Sequence, residues 1–237
     1  MKIDERSPSS SRDVAKRTMR PGRAYVICSP KNGFCEVRLE SWLEQSVAHA
    51  LELDPRVSSY RAQPFTLNLT TSEILIKKPK QKPKSAVYYT PDLVADVDGM
   101  QTMIEAKPER YVEEHSALFA QVKAVAVSRG MRFVVVTEEN LRGNFPRNAQ
   151  ILNQYLAQAR KSLPQWSDAL RQQGDANLSG IAREVLQGLE PVNYYVMAGI
   201  LSGQIYVDLF ECALEDKNLV IQPAWGSLEA FEVLNYV

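Results

Sequence analysis

Asp92, Glu105 and Lys107 stand on either side of an Asp98-Gly99 dipeptide in the stretch from Tyr89 to Lys107. An Asp-Gly pair between apolar runs is the signature of a two-residue hairpin loop. With that loop, Val97 pairs with Met100 and Asp92 falls directly across from Glu105. Lys107, two residues further on, shares their face. Carboxylates opposed across a strand pair repel and destabilise the sheet. A bridging cation removes that penalty, so the pattern reads as a divalent-metal site with a lysine beside it. Solvated polar positions on a half-exposed hairpin are the alternative. The register has support from the other face, which carries Leu93, Ala95, Val97, Thr102, Ile104 and Ala106. A slip of one residue would bury Asp92 and Asp96 and put Leu93 and Ile104 in water.

The elements that must position these residues come from a chain of 237 residues, 45% apolar, with zero formal net charge. That suits one large domain or two smaller ones with a real core. Zero net charge argues against a polybasic nucleic-acid binder, although local charge matters more than the sum. No run approaches the ~18 apolar residues of a membrane span. The N-terminus lacks the apolar stretch of a secretory signal. Cys28, Cys35 and Cys212 form no Cys-x-x-Cys pair, which fits a reducing, cytoplasmic setting. His49 and His115, the only histidines, fall in separate predicted helices, which disfavours a zinc hydrolase or a Ser-His-Asp enzyme.

Residues 1–23 read as a basic arm; from Met1 to Lys31 there are eight basic and three acidic residues. The arm is either a solubilising tail or a phosphate-contacting segment. A helix is predicted from Ser41 to about Leu53, with Leu43, Val47, Ala50 and Leu51 as its apolar stripe. Ser41 to Glu44 also matches the capping box, in which the glutamate returns to the cap backbone. Val57 to Leu69 reads as a strand with a bend at Pro64. The lysine-rich run with Lys77, Lys78, Lys80, Lys82 and Lys84 is either a solvated connector or a basic loop attracting a phosphate backbone. After the hairpin come a helix from Val112 to Arg129 and a continuous apolar strand, Arg132 to Thr137, of the kind buried on both faces. The order is that of an α/β domain over residues 24–140.

A second module, residues 141–237, has predicted helices at Arg147 to Lys161, Leu178 to Leu186 and Val192 to Leu201. Strands at Gln204 to Phe210 and Leu219 to Ile221 follow. Helices followed by a small hairpin are winged-helix-like. The helix Val192 to Leu201 carries no Arg or Lys, which favours protein binding or a structural role over base reading.

Asp92 followed by Glu105-Ala106-Lys107, with Glu44 on an upstream helix, resembles the active-site pattern of PD-(D/E)xK nucleases, and the first half here is literally Pro91-Asp92. The chemistry accounts for the residue types. Carboxylate oxygens suit Mg²⁺, two such ions can hold attacking water and leaving oxygen in line, and a lysine can position the water or stabilise the transition state. More narrowly, Glu40 to Gln45, Leu53 to Pro64, Tyr89 to Asp92, Ile104 to Pro108 and Val136 to Glu139 resemble the TnsA endonuclease family of heteromeric bacterial transposons. The likeness extends over roughly residues 23–221.

That resemblance implies a restriction-endonuclease-like mixed sheet flanked by helices, followed by the small winged-helix-like domain. It puts Glu44, Asp92 and Lys107 on the family's catalytic positions and Glu105 on the position between Asp and Lys, where some members carry Gln. The implied metal ligands are Glu44, Asp92 and Glu105, for two Mg²⁺ ions or Mn²⁺ in their place. The implied activity is cleavage of the strand ending 5′ at each transposon end, with a TnsB-type transposase handling the other strand. A TnsC-type AAA+ ATPase is contacted through the C-terminal domain. Gln63 is a further candidate that orients water or DNA, unless it simply bonds a neighbouring loop. Glu40, one turn before Glu44, reads as a solvated or pre-cap residue. Another restriction- or resolvase-like nuclease, and a catalytically idle DNA- or protein-binding scaffold, are the rival readings.

Overall fold

The computed structural model describes residues 10–11, 25–77, 79 and 85–237. Most of the basic arm, and Lys78, Lys80, Lys82 and Lys84, lie outside the described residues. The chain forms two compact units. One comprises residues 1–52, 56–140 and 234–237, the other residues 53–55 and 141–233.

The first unit opens with an antiparallel hairpin that the sequence reading did not anticipate, β1 (Tyr25–Ser29) and β2 (Cys35–Leu39). Helix α1 (Trp42–Leu53) follows, with Leu43, Val47, Ala50 and Leu51 buried as its apolar stripe requires. Strand β3 (Val57–Ala62) ends at Gln63, and the chain then enters a separate three-stranded sheet. That sheet is built from β4 (Thr66–Asn68), β5 (Glu73–Leu75) and β6 (Tyr88–Tyr89), in the order β5-β4-β6. The long strand expected from Val57 to Leu69 is therefore two strands in two sheets, divided where Gln63 takes a positive φ of 46° ahead of Pro64.

The central hairpin is β7 (Leu93–Val97) and β8 (Met100–Ala106), with Val97 paired to Met100 and Leu93 to Ile104. Asp98 and Gly99 both have positive φ, 52° and 76°, as a two-residue type I′ turn demands. After two short 3₁₀ turns, helix α2 (Ser116–Ser128) crosses back and β9 (Arg132–Val136) joins β8 in parallel. The sheet order is β3-β7-β8-β9. Helix α2 starts four residues later than the apolar pattern suggested, because 109–115 is taken up by those turns.

Both faces of the hairpin are covered. Val94 and Met103 pack with Phe119, Val122 and Phe133 on the α2 side. Leu93, Ala95, Val97, Thr102 and Ile104 are buried on the other side. There Tyr60, paired with Ala95, donates its hydroxyl to Glu52 of α1 at 2.8 Å. Glu52 also accepts from Ser29 Oγ at 2.6 Å and from the Lys31 amide at 2.8 Å, so one buried carboxylate joins the first hairpin, α1 and β3. Burial, reinforced by the adjacent Glu52, pushes the Tyr60 hydroxyl well above its ordinary pKa, which keeps it a donor. Strand β9 departs from expectation. Among the described residues it is an edge strand with only β8 beside it, and Arg132, Val134 and Val135 are half-buried instead of sealed on both faces. A cavity of about 400 Å³ lies against it, bordered by Phe119, Lys123 and the terminal residues Leu234 and Val237.

The second unit runs α3 (Phe145–Gln158), α4 (Leu163–Gln173), β10 (Gly180–Ile181), α5 (Ala182–Val185), α6 (Val192–Leu201), β11 (Ile205–Tyr206) and β12 (Val220–Pro223). Helix α4 lies where the sequence reading placed no helix, between Lys161 and Leu178. Proline is tolerated in a first helical turn, where its missing N–H has no partner anyway, and Pro164 occupies that place. The small antiparallel sheet has the order β10-β12-β11. The buried Asn148 of α3 pins the loop between β11 and β12. It donates to the Leu209 and Cys212 carbonyls at 2.8 and 2.7 Å and accepts from the Leu214 amide at 3.0 Å.

Burial lowers the His49 pKa from 6.5 to about 4. The unfolded chain thus binds a proton between those values that the folded chain refuses, and stability present above pH 6.5 is lost as pH falls toward 4. The full effect is roughly 3 kcal/mol. Equilibrium urea unfolding at pH 7 and pH 4.5 is expected to show a smaller acid-induced loss for His49→Leu than for the unsubstituted protein.

Candidate active site

Strands β3, β7 and β8 end level with one another. Ala62 pairs with Leu93, and Leu93 with Ile104. One step further along the same register are Gln63, Asp92 and Glu105, in a row across three strands. The Gln63 amide donates to the Asp92 carbonyl at 3.0 Å, which extends the β3–β7 ladder by that step. The opposed placement of Asp92 and Glu105 read from the Asp-Gly turn is thus the placement observed. The two carboxylates are not solvated, however. Asp92 is 8% exposed and Glu105 7%. Burial of a carboxylate demands compensating donors, and both have them. Asp92 Oδ2 accepts from the Ala106 amide at 3.0 Å. Glu105 Oε2 accepts from the Tyr89 hydroxyl at 2.7 Å, and its Oε1 lies 3.1 Å from Lys107 Nζ.

Lys107 sits just beyond β8, where its amide donates to the Val136 carbonyl at 3.0 Å and carries the β8–β9 pairing one residue on. Its side chain is more open to solvent than that of Glu105. The ammonium therefore stands at the rim, with the carboxylates behind it. Tyr89 arrives from the second sheet, its ring edge-on to Phe133 with centroids 6.0 Å apart. Thr90, between β6 and β7, shares a 2.7 Å hydroxyl contact with Thr66 of β4, which ties down the approach to Pro91-Asp92.

Glu44 closes the cap at Ser41 as expected, but its carboxylate returns to the Glu40 amide and the Ser41 hydroxyl instead of the Ser41 amide. Its Oε2 accepts from the Glu40 amide at 2.9 Å, its Oε1 accepts from Ser41 Oγ at 2.9 Å, and its own amide donates to Ser41 Oγ at 3.1 Å. Glu40 thereby contributes its backbone to that cap. Gln63 is fully buried, and its side-chain oxygen and nitrogen both lack a hydrogen-bond partner. The loop bond considered for this side chain is not made. Its backbone is engaged at both ends, the amide donating to the Asp92 carbonyl at 3.0 Å and the carbonyl accepting from the Ser11 amide at 2.8 Å. Of the lysine-rich run, Lys77 is described, and it is exposed. His115 Nδ1 lies 2.9 Å from the Tyr111 carbonyl, an ordinary local contact.

Buried carboxylates at neighbouring strand positions are hard oxygen donors of the type that divalent cations take. Among the described residues, no three His, Cys, Asp or Glu side chains are grouped to hold an ion as they stand. Asp92 and Glu105 form a pair suited to the task, while the Glu44 carboxylate serves its own helix.

Residues 54–138 match the family model for the TnsA-like endonuclease N-terminal domain. This segment is similar to the nuclease domain of TnsA-like endonucleases. It contains Gln63, Asp92, Glu105 and Lys107, and Glu44 lies outside the matched range. No curated protein matches the chain at a significant level. The TnsA-like domain also contains Tyr89, which sequence reasoning passed over as a site residue. Its signal was present in the Tyr89-Thr90-Pro91-Asp92 segment, but nothing in the spacing said that a strand of another sheet would aim the hydroxyl at Glu105.

Removing the Tyr89 hydroxyl leaves a buried carboxylate short of a donor, which costs about 1–3 kcal/mol. A double-mutant cycle of Tyr89→Phe and Glu105→Gln, read by urea unfolding at pH 7, is expected to give a coupling above about 1 kcal/mol. Additive effects would mean the bond contributes nothing.

Proposed function

We propose that this protein is a Mg²⁺-dependent DNA endonuclease. It cuts the strand ending 5′ at transposon ends as the nuclease subunit of a heteromeric, Tn7-type transposase. The observation that carries the proposal is the pair of buried, register-opposed carboxylates Asp92 and Glu105, with Lys107 at their solvent side, inside a TnsA-like endonuclease domain.

Asp92 and Glu105 are the residues that would hold the cation, with Mn²⁺ able to replace Mg²⁺. Glu44 joins them only if its carboxylate leaves the helix cap. When bound, the metal supplies charge neutralisation at the scissile phosphate and a more acidic water. The chain's own residues do the rest. Tyr89 holds the Glu105 carboxylate in one orientation. The Ala106 amide does the same for Asp92. Lys107 presents a positive charge at the open side, where it orients the attacking water and stabilises charge gathering on the phosphate. Lys77 and the lysines after it, Lys78, Lys80, Lys82 and Lys84, attract the DNA backbone.

The second unit supports a winged-helix reading through its strand–helix–helix–strand–strand order and its β10-β12-β11 sheet. Its chemistry favours a protein partner over DNA. From 141 to 233 there are seven basic and ten acidic residues, and α6, the second helix of the pair, has no Arg or Lys and buries Val196 to Ile200. A TnsC-type AAA+ ATPase is the partner this reading assigns to it, and a TnsB-type transposase cuts the second strand. Among the described residues no helix is long and apolar enough to cross a membrane. Action on DNA in the bacterial cytoplasm is the setting proposed.

The test is cleavage of end-labelled transposon-end DNA with Mg²⁺, with and without the cognate transposase. Asp92→Ala and Lys107→Ala are each expected to lower the rate at least about 100-fold. Undiminished cleavage by either variant contradicts the site. Cleavage of arbitrary DNA by the lone protein points instead to a restriction-like enzyme.

A further inference from the structure

Gln63 combines four features that packing does not explain. It is 0% exposed. Its Oε1 and Nε2 have no hydrogen-bond partner. Its φ of +46° lies in the left-handed region, which a non-glycine residue enters at a cost. It stands beside Asp92 in the row that ends at Glu105, joined to Asp92 by its own backbone amide at 3.0 Å. A buried amide without partners destabilises a folded chain, and native proteins keep few of them without a reason such as an absent ion or ligand. The strained backbone is held from both sides, by the Asp92 carbonyl and by the Ser11 amide at 2.8 Å. Strain maintained in this way collects at functional sites. Leucine or methionine would fill the same volume without an orphaned amide.

We infer that the Gln63 carboxamide oxygen is the third oxygen donor to the divalent cation held by Asp92 and Glu105. The inference rests on the metal-site reading above and deepens it. A carboxamide oxygen is a neutral hard ligand, suited to the same cations as carboxylates. It also answers what Glu44 leaves open. With both Glu44 oxygens engaged at the start of α1, the donor adjacent to Asp92 in the sheet is Gln63. Binding of the cation gives Oε1 its missing partner and leaves Nε2 to donate to an oxygen of the bound phosphate or water.

A purely structural glutamine and a ligand glutamine behave differently when the amide is removed. The full-length protein and two variants, Gln63→Leu and Gln63→Glu, are titrated with Mn²⁺ by calorimetry, and their metal-free urea midpoints are measured. Gln63→Leu is expected to raise the metal-free midpoint, since it removes a buried unpaired amide, and to weaken Mn²⁺ affinity by about tenfold or more. Gln63→Glu keeps the shape, adds a charge and is expected to tighten Mn²⁺ binding, which keeps the test informative if the leucine variant misfolds. Unchanged Mn²⁺ affinity in both variants, with the parent protein binding Mn²⁺, overturns the assignment of Gln63 alone. A parent protein that binds no Mn²⁺ overturns the metal reading and this assignment with it.

Discussion

Pairing of Val97 with Met100 across the Asp98-Gly99 turn sets where every polar group of the site stands. A strand alternates faces with a period of two, so a shift of one residue would exchange the polar and apolar sets of β8. The turn resists that shift because both its residues occupy positive φ, a geometry that Asp-Gly adopts easily and most pairs do not. From that register follow the opposition of Asp92 and Glu105, the place of Lys107 just past the strand, and the alignment of Gln63 at the end of β3. The apolar faces lock the arrangement from both sides.

Burial converts this register into chemistry. A carboxylate exposed on a hairpin would be a solvated ion with little consequence. Behind the rim, Asp92 and Glu105 require donors, and the fold supplies a backbone amide, a tyrosine hydroxyl and a lysine. These partners hold the oxygens in defined orientations. The carboxylates are therefore held in place by the fold itself, which is the condition under which fixed charges act most strongly on a reaction. The second unit carries more acidic than basic residues and buries much of α6.

The sequence disclosed the parts governed by short-range rules. The Asp-Gly turn announced the hairpin, the apolar stripe announced α1, and Ser41 with Glu44 announced the helix cap that the structure contains. The regions it concealed depend on long-range contacts. Nothing local distinguishes Val57 to Ala62 from Thr66 to Asn68 as members of different sheets; the break is visible only in the backbone turn at Gln63. The apolar run of β9 looks like a central strand because residue types report hydrophobicity and not the number of neighbouring strands. Helix α4 went unread because a proline near its start does not by itself show whether a new helix begins there. The bond from Tyr89 to Glu105 joins residues 16 positions apart through two sheets, and no periodicity encodes it. Conversely, the Asp92–Glu105–Lys107 constellation was legible because one turn and one strand spacing contain all of it.

The central claim is that the carboxylate pair at the end of β7 and β8 holds a divalent cation. Anomalous diffraction from crystals of the protein soaked in Mn²⁺ tests it most directly. The account predicts an anomalous peak about 2 Å from carboxylate oxygens of both Asp92 and Glu105. A peak confined to other residues, or none at these two in well-occupied crystals, would contradict it.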